Sequence, residues 1–191
     1  MNLEKPAQCI SVYKNAINPV NFITALEQES KNDWGLVSWN NSSVGGNGQV
    51  VSGRTSVECD VTHLLSEHMG NMLVNTFVDH IIKPVLQLVD DYKVEYLVNT
   101  NRPEGWRILK YSEGSDFKAH HDHHPNNARV ISLVAFLNDV EEGGNLEFPH
   151  FDVSIPAEKG TVVIFPSNFP YLHIAHPVES GIKYSLVTWF Q

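Results

Sequence analysis

Apolar residues recur at helical spacing through much of the first half of the chain and at strand-like intervals through most of the second. Between positions 62 and 92, Leu64, Leu65, Met69, Met72, Leu73, Phe77, Ile81, Leu86 and Leu88 largely follow one helical face. That spacing predicts core packing of the face. Pro84 stands inside the run, where its missing N–H and bulky ring are expected to kink or break the helix. Nearer the N-terminus, Asn18 followed by Pro19 reads as a cap and first helical residue. Val20, Ile23, Ala25, Leu26 and Glu29 then predict an amphipathic helix reaching about Asp33.

The second half changes texture. Residues 94–98, 106–111, 117–122, 129–137, 153–155, 161–165, 171–175 and 183–190 are β-branched or aromatic runs separated by Gly, Pro, Asn or Asp. They predict short strands, with turns at Gly143-Gly144 and Lys159-Gly160. The gaps are too short for the helices of a doubly wound sheet. The expected fold class is therefore α+β, a double-stranded β-helix (jelly roll) with N-terminal supporting helices. A single domain over 1–191 follows, with 1–93 as helical support and a Gly-rich loop, and 94–191 as the β-helix core.

Composition narrows the partners. The 191 residues carry 13 basic and 22 acidic side chains, a net charge of −9, so electrostatic capture of nucleic acid is not expected. No apolar run is expected to reach the length of a membrane span, and Met1–Gln8 lacks a signal-peptide stretch. Cys9 and Cys59 give neither a disulfide framework nor a zinc knuckle, which favours a cytoplasmic location. The pattern leaves the oligomeric state open.

His120-His121-Asp122-His123-His124 sets four imidazoles around a carboxylate. In an extended segment either His120 with Asp122, or His121 with His123, can share a face. Spacing alone does not choose between them. Lys118 stands where a hydrolytic H-x-H-x-D-H would need its first histidine, and a helical H-E-x-x-H is absent. A solvated loop, a zinc site, or two histidines and a carboxylate on Fe(II) all remain compatible with the residues.

The surrounding string resembles the prolyl 4-hydroxylase branch of the Fe(II)- and 2-oxoglutarate-dependent dioxygenases. Tyr111, Gly114, Phe117, His120 and Asp122 match that family's Y-x-x-G-x-x-(F/Y)-x-x-H-x-D. Leu137-Asn138, Gly143-Gly144, Phe148-Pro149, Lys159-Gly160 and Phe165 continue the match. His173, Pro177, Val178, Gly181 and Lys183 are similar to its H-x-x-x-P-V-x-x-G-x-K. The likeness covers roughly residues 94–191, half the chain. It implies metal ligation by His120, Asp122 and His173, with His176 the nearest competitor to His173. It also implies that Lys183 and Tyr111 bind the distal carboxylate of 2-oxoglutarate.

The implied activity is hydroxylation of a C–H bond, foremost a prolyl residue in a peptide, with O2 consumed and 2-oxoglutarate converted to succinate and carbon dioxide. Ascorbate is a further candidate cofactor. The same chemistry on a free amino acid or small metabolite, or a non-catalytic metal-binding jelly roll, are the alternatives. Trp189 falls where the family places an aromatic near the metal pocket, while Arg129 and Arg54 are candidate substrate or pocket residues. Leu146 departs from the family's G-G-x-T-x-F pattern, removing a hydroxyl from that end of the pocket. Residues 40–54, with Gly45, Gly46, Gly48 and Gly53, are expected to form a flexible hairpin or a lid over a peptide. His121, His123 and His124 are expected to be exposed, and His63, His68, His80 and His150 structural.

Overall fold

The structure, a computed structural model, describes residues 1–32, 36–42, 53–66, 71–101, 103–123, 125 and 128–191. Its strands are β1 (Asn2–Ala7), β2 (Ile10–Lys14), β3 (Asn40–Asn41), β4 (Val57–Asp60), β5 (Arg107–Tyr111), β6 (Phe117–His120) and β7 (Ile131–Phe136). They continue as β8 (Glu142–Gly143), β9 (Leu146–Phe148), β10 (Val153–Ile155), β11 (Val162–Pro166), β12 (His173–Ala175), β13 (Val178–Ser180) and β14 (Lys183–Phe190). Eight of these form one sheet in the order β1-β2-β11-β7-β14-β5-β4-β3, and four form a second, β10-β9-β12-β6. Phe136, Val163 and Phe165 of the large sheet pack with Leu146, Phe148, Val153 and Ile155 of the small one. The cavity described below opens between these sheets.

The opposite face of the large sheet carries the helices α1 (Phe22–Glu29), α2 (Met72–Phe77) and α3 (Lys83–Tyr96). Phe22, Leu26, Leu73, Phe77, Ile81, Val85 and Val89 join Ile108, Leu133, Ala135, Val162 and Leu186 in one core. Both faces of the central strands are thus covered, which is why β7, β11 and β14 read as nearly continuous apolar runs. Phe22 and Phe77 are fully buried and stack with ring centroids 5.3 Å apart. Phe77→Ala is expected to cost about 3–5 kcal/mol, measured as a shift in the urea midpoint. A loss below about 1 kcal/mol would show that the helical layer is not seated as described. Glu27 pins α1 to the sheet by accepting from Lys110 Nζ and the Tyr184 hydroxyl, both at 2.8 Å.

Several local expectations are corrected. The first 93 residues are not helical support alone, because β1, β2 and β4 extend the large sheet at both flanks. Residues 94–98 are not a strand. Helix α3 runs through Tyr96, and the Val98 N–H closes it on Lys93 O at 3.0 Å, overriding the local β propensity. Helix α1 starts at Phe22 rather than Pro19, because Asn21 stands at its N-cap in the left-handed region, φ 63°, while the Asn18 N–H donates to His80 O at 3.1 Å. It ends at Glu29, short of the expected Asp33, with the Ser30 N–H bonded to Leu26 O at 2.9 Å.

That same contact explains Pro84. A π-helical turn over Val78–Ile82 joins α2 to α3, and the helix passes through the proline unbroken. Pro84 offers no N–H to the carbonyl four residues earlier, and that carbonyl, His80 O, takes the Asn18 N–H instead. Helix therefore runs over Met72–Tyr96, 25 residues, long and apolar enough by length and composition to cross a membrane. This corrects the expectation that no run reaches that length. Its apolar face packs in the helical core against the large sheet.

Candidate functional site

Strands β6 and β12 pair antiparallel and set His173 directly opposite His120. Asp122 follows two residues after His120 and returns to the same side. One donor atom from each of His120, Asp122 and His173 lies within 4.8 Å of the others. His120 Nε2 is 3.5 Å from Asp122 Oδ1, and His173 Nε2 is 3.7 Å from Asp122 Oδ2.

Local backbone fixes which nitrogen each imidazole offers. His120 Nδ1 bonds Lys118 O at 2.8 Å and His173 Nδ1 bonds Tyr171 O at 3.1 Å. A carbonyl can only accept, so each Nδ1 carries the proton and each Nε2 presents its lone pair. Burial pushes His173 down to about 4, which keeps it neutral at physiological pH. The Phe117 ring stacks on His120 with centroids 3.6 Å apart and limits its rotation.

The carboxylate is held from behind. Ser132 on β7 donates to Asp122 Oδ2 at 2.6 Å, and its hydroxyl meets that of Ser167 at 2.8 Å. Ser167 O accepts the N–H groups of Asp122 and His123 at 3.0 and 2.9 Å. Burial alone would raise the Asp122 carboxyl, but His173, His120 and the Ser132 hydroxyl outweigh it and hold the group well below its usual range. Two neutral imidazoles and one carboxylate on adjacent strands fit Fe(II), which prefers such mixed nitrogen and oxygen donors with positions left open.

Lys183 opens β14 directly across from Tyr111 on β5 and is 2 % exposed. Its ammonium donates to Gly144 O at 2.8 Å and lies 4.4 Å from the Tyr111 ring centroid. Burial lowers its pKa from 10.5 to about 8, and none of the described acidic groups enters that balance. A buried cation without a counter-anion fits an incoming carboxylate. Gly143 and Gly144 both adopt positive φ, and a side chain at Gly143 would strike Pro177 O at 2.4 Å. This turn, which only glycine tolerates, delivers the carbonyl to Lys183. Leu146 is buried in the same wall, so that end of the cavity is apolar where the family pattern has a hydroxyl.

His120, Asp122, His173, Lys183, Tyr111, Arg54 and Trp189 all line one cavity. Arg54 Nε donates to Ser56 Oγ at 2.9 Å, Nη1 approaches Glu58 at 3.7 Å, and Nη2 makes no hydrogen bond with the described residues. Arg129 does not line it. Its guanidinium makes a two-toothed pair with Glu104, both bonds 2.7 Å, and stacks 3.7 Å from the Trp189 ring centroid. The structure thus gives Arg129 an acid and an aromatic as partners, and its reach to the cavity is through Trp189.

His176 contacts Glu147 and lies outside the cluster of His120, Asp122 and His173. His121 is exposed; His123 is half-buried and bonds Arg129 O at 3.1 Å. His68, His124 and most of the Gly-rich 40–54 segment lie outside the described residues. Sequence reasoning missed Ser132, Ser167 and the Gly144 carbonyl, since serines and backbone oxygens carry no motif and become visible only by contact.

Residues 106–191 match the sequence model of the 2OG-Fe(II) oxygenase superfamily. Among curated proteins, the chain is 25% identical over 144 residues to probable prolyl 4-hydroxylase 3 of Arabidopsis thaliana, covering 58% of this chain and 49% of that one. It is 26% identical over 124 residues to probable prolyl 4-hydroxylase 9 of the same plant, covering 50% and 43%. The chain spans about half the length of these relatives. A Pseudomonas putida prolyl-4-hydroxylase superposes with TM-score 0.70 at 16% identity, covering 96% of this chain and 92% of that one. A viral collagen prolyl hydroxylase from Paramecium Bursaria Chlorella virus-1, in complex with 2-oxoglutarate, gives 0.66 at 18%, covering 96% of each. A Trichoplax adhaerens prolyl hydroxylase bound to a hypoxia inducible factor peptide fragment gives 0.70 at 15%, covering 96% and 84%. The match to the 2OG-Fe(II) oxygenase superfamily model thus takes in the His-Asp-His cluster and Lys183, and the chain has the fold of the prolyl hydroxylases.

Proposed function

We propose that this chain is an Fe(II)- and 2-oxoglutarate-dependent dioxygenase that hydroxylates prolyl residues in a peptide. The observation that carries the reading is one cavity holding both the His120, Asp122 and His173 donors and a buried Lys183 that meets no anion among the described residues. When bound, Fe(II) and 2-oxoglutarate supply the activation of O2 that hydroxylates a C–H bond, with succinate and carbon dioxide as co-products.

The chain's own groups do the rest. His120 and His173 present Nε2, and Asp122 contributes the one negative ligand. Lys183 and the Tyr111 hydroxyl would hold the distal carboxylate, and the apolar lining of Leu109, Leu133, Phe136 and Val187 limits water there. Trp189, clamped by Arg129, offers the substrate an aromatic face, and Arg54 Nη2 a donor without a hydrogen-bond partner among the described residues. Prolyl peptides as substrate are supported by the names of the curated relatives and by the peptide complex of the Trichoplax neighbour.

Incubation with Fe(II), 2-oxoglutarate, ascorbate and a proline-containing peptide library is expected to give succinate and a +16 mass shift on proline. Succinate without any peptide shift would move the reading to a small substrate. Neither product would sink it.

A further inference from the structure

We propose that Ser132, oriented by Ser167, is a positioning residue that makes Asp122 a single-toothed metal ligand. The inference rests on the metal-centre reading above. Ser132 is 1 % exposed and Ser167 fully buried, so water does not replace their bonds. Ser132 donates its one proton to Asp122 Oδ2 at 2.6 Å. It can therefore only accept from Ser167, 2.8 Å away, and the Ser167 hydroxyl must be the donor of that pair.

The result is a directed chain, Ser167 to Ser132 to Oδ2, in which each bond polarises the next. The short bond to a charged acceptor draws electron density onto Oδ2 and weakens it as a metal donor. Oδ1 makes no hydrogen bond to a described hydroxyl and sits 3.5 Å from His120 Nε2. Oδ2 in turn lies 3.7 Å from His173 Nε2, so both oxygens face the imidazoles, and it is the Ser132 bond that leaves Oδ1 as the stronger donor. Ser167 also fixes the backbone, since its carbonyl accepts the Asp122 and His123 N–H groups at 3.0 and 2.9 Å. Three segments distant in sequence meet at one carboxylate.

Denticity matters because a six-coordinate ion held by two imidazoles and one carboxylate oxygen keeps three positions. A chelating cosubstrate needs two of them, and the third remains for a small reactant. Were Asp122 to bind through both oxygens, that third position would be lost.

The experiment loads the metal-stripped full chain with Mn(II) and counts exchangeable metal-bound waters by water-proton relaxation. Ser132→Ala frees a buried Oδ2 whose nearest cation is the metal, so the water contribution is expected to fall by about a third, from three positions to two. Ser132→Thr, which keeps the hydroxyl, is expected to restore the wild-type value, and a side chain acting only as packing would not produce that rescue. Circular dichroism confirms folding of both variants. Relaxation in Ser132→Ala equal to or above wild type would overturn the proposal. Failure of the wild-type chain to bind Mn(II) would instead sink the metal-centre reading.

Discussion

Lys183→Met is expected to weaken 2-oxoglutarate binding at least about 100-fold, because removing one partner of a buried charge pair costs about 3–5 kcal/mol. The variant keeps the aliphatic bulk and leaves His120, Asp122 and His173 in place, so Mn(II) binding is expected to stay near wild type. Titration calorimetry of the Mn(II)-loaded protein with 2-oxoglutarate measures the first effect. Equal affinity in variant and wild type would move the anchor elsewhere.

The same substitution is expected to stabilise the ligand-free protein. Lys183 has a folded pKa near 8 against an ordinary 10.5, with burial as its cause. At about 1.4 kcal/mol per pKa unit, that depression places a cost of about 3 kcal/mol on the charged form. Between pH 8 and 10.5 the unfolded chain holds the proton more tightly, so this contribution to stability improves as pH rises through that window. Below pH 8 the penalty is fully present, and Lys183→Met removes it. Urea unfolding at pH 7 is expected to show a more stable variant, with the advantage shrinking toward pH 10. Affinity for 2-oxoglutarate has the opposite slope: it depends on the ammonium, so it is flat below pH 8 and falls up to about tenfold per unit above it. A binding site thus carries a built-in destabilisation that its ligand relieves.

Asp122→Ala is the second large effect. It removes the only anionic donor of the cluster and leaves Ser132 and Ser167 pointing at an empty acceptor position. Turnover of 2-oxoglutarate to succinate is expected to fall below detection, and Mn(II) affinity to drop more than about 100-fold, beyond the usual effect of losing an outer partner. His173→Ala is expected to behave alike, since His173 faces Asp122 from the paired strand. His176→Ala serves as the control. That imidazole contacts Glu147 away from the cluster, so succinate production should remain within about twofold of wild type. Loss of turnover in His176→Ala with full activity in His173→Ala would exchange their roles.

Much of the β-helix was legible because strands covered on both faces are written in apolar and β-branched residues. Strands β5, β7, β10, β11 and β14 lie within one or two residues of the predicted spans. The N-terminal strands were not legible. In β1 nearly every residue is exposed, so it shows no alternation of buried and exposed positions, and β2 is buried along almost its whole length. Residues 94–98 failed in the opposite direction, since Val94–Tyr96 complete α3 and Leu97 and Val98 form its cap. Pro84 failed because its cost was cancelled by a distant donor, the Asn18 N–H.

By itself the sequence determined which residues could be ligands, because the residue types needed for metal and carboxylate binding stand in a family-like order from Tyr111 to Lys183. The family-like string singled out His120 among the imidazoles of the five-residue cluster, and the tertiary structure brings it to its partners. Pairing of β6 with β12 brings His120 to His173, while His176 three residues further on meets Glu147. Tertiary structure also supplied the Ser167–Ser132–Asp122 chain and the carbonyl that steadies Lys183. The physical reason is range. Donor identity and strand alternation are properties of neighbouring residues, whereas hydrogen-bond direction, burial and the isolation of a charge depend on segments that meet only after the sheets close.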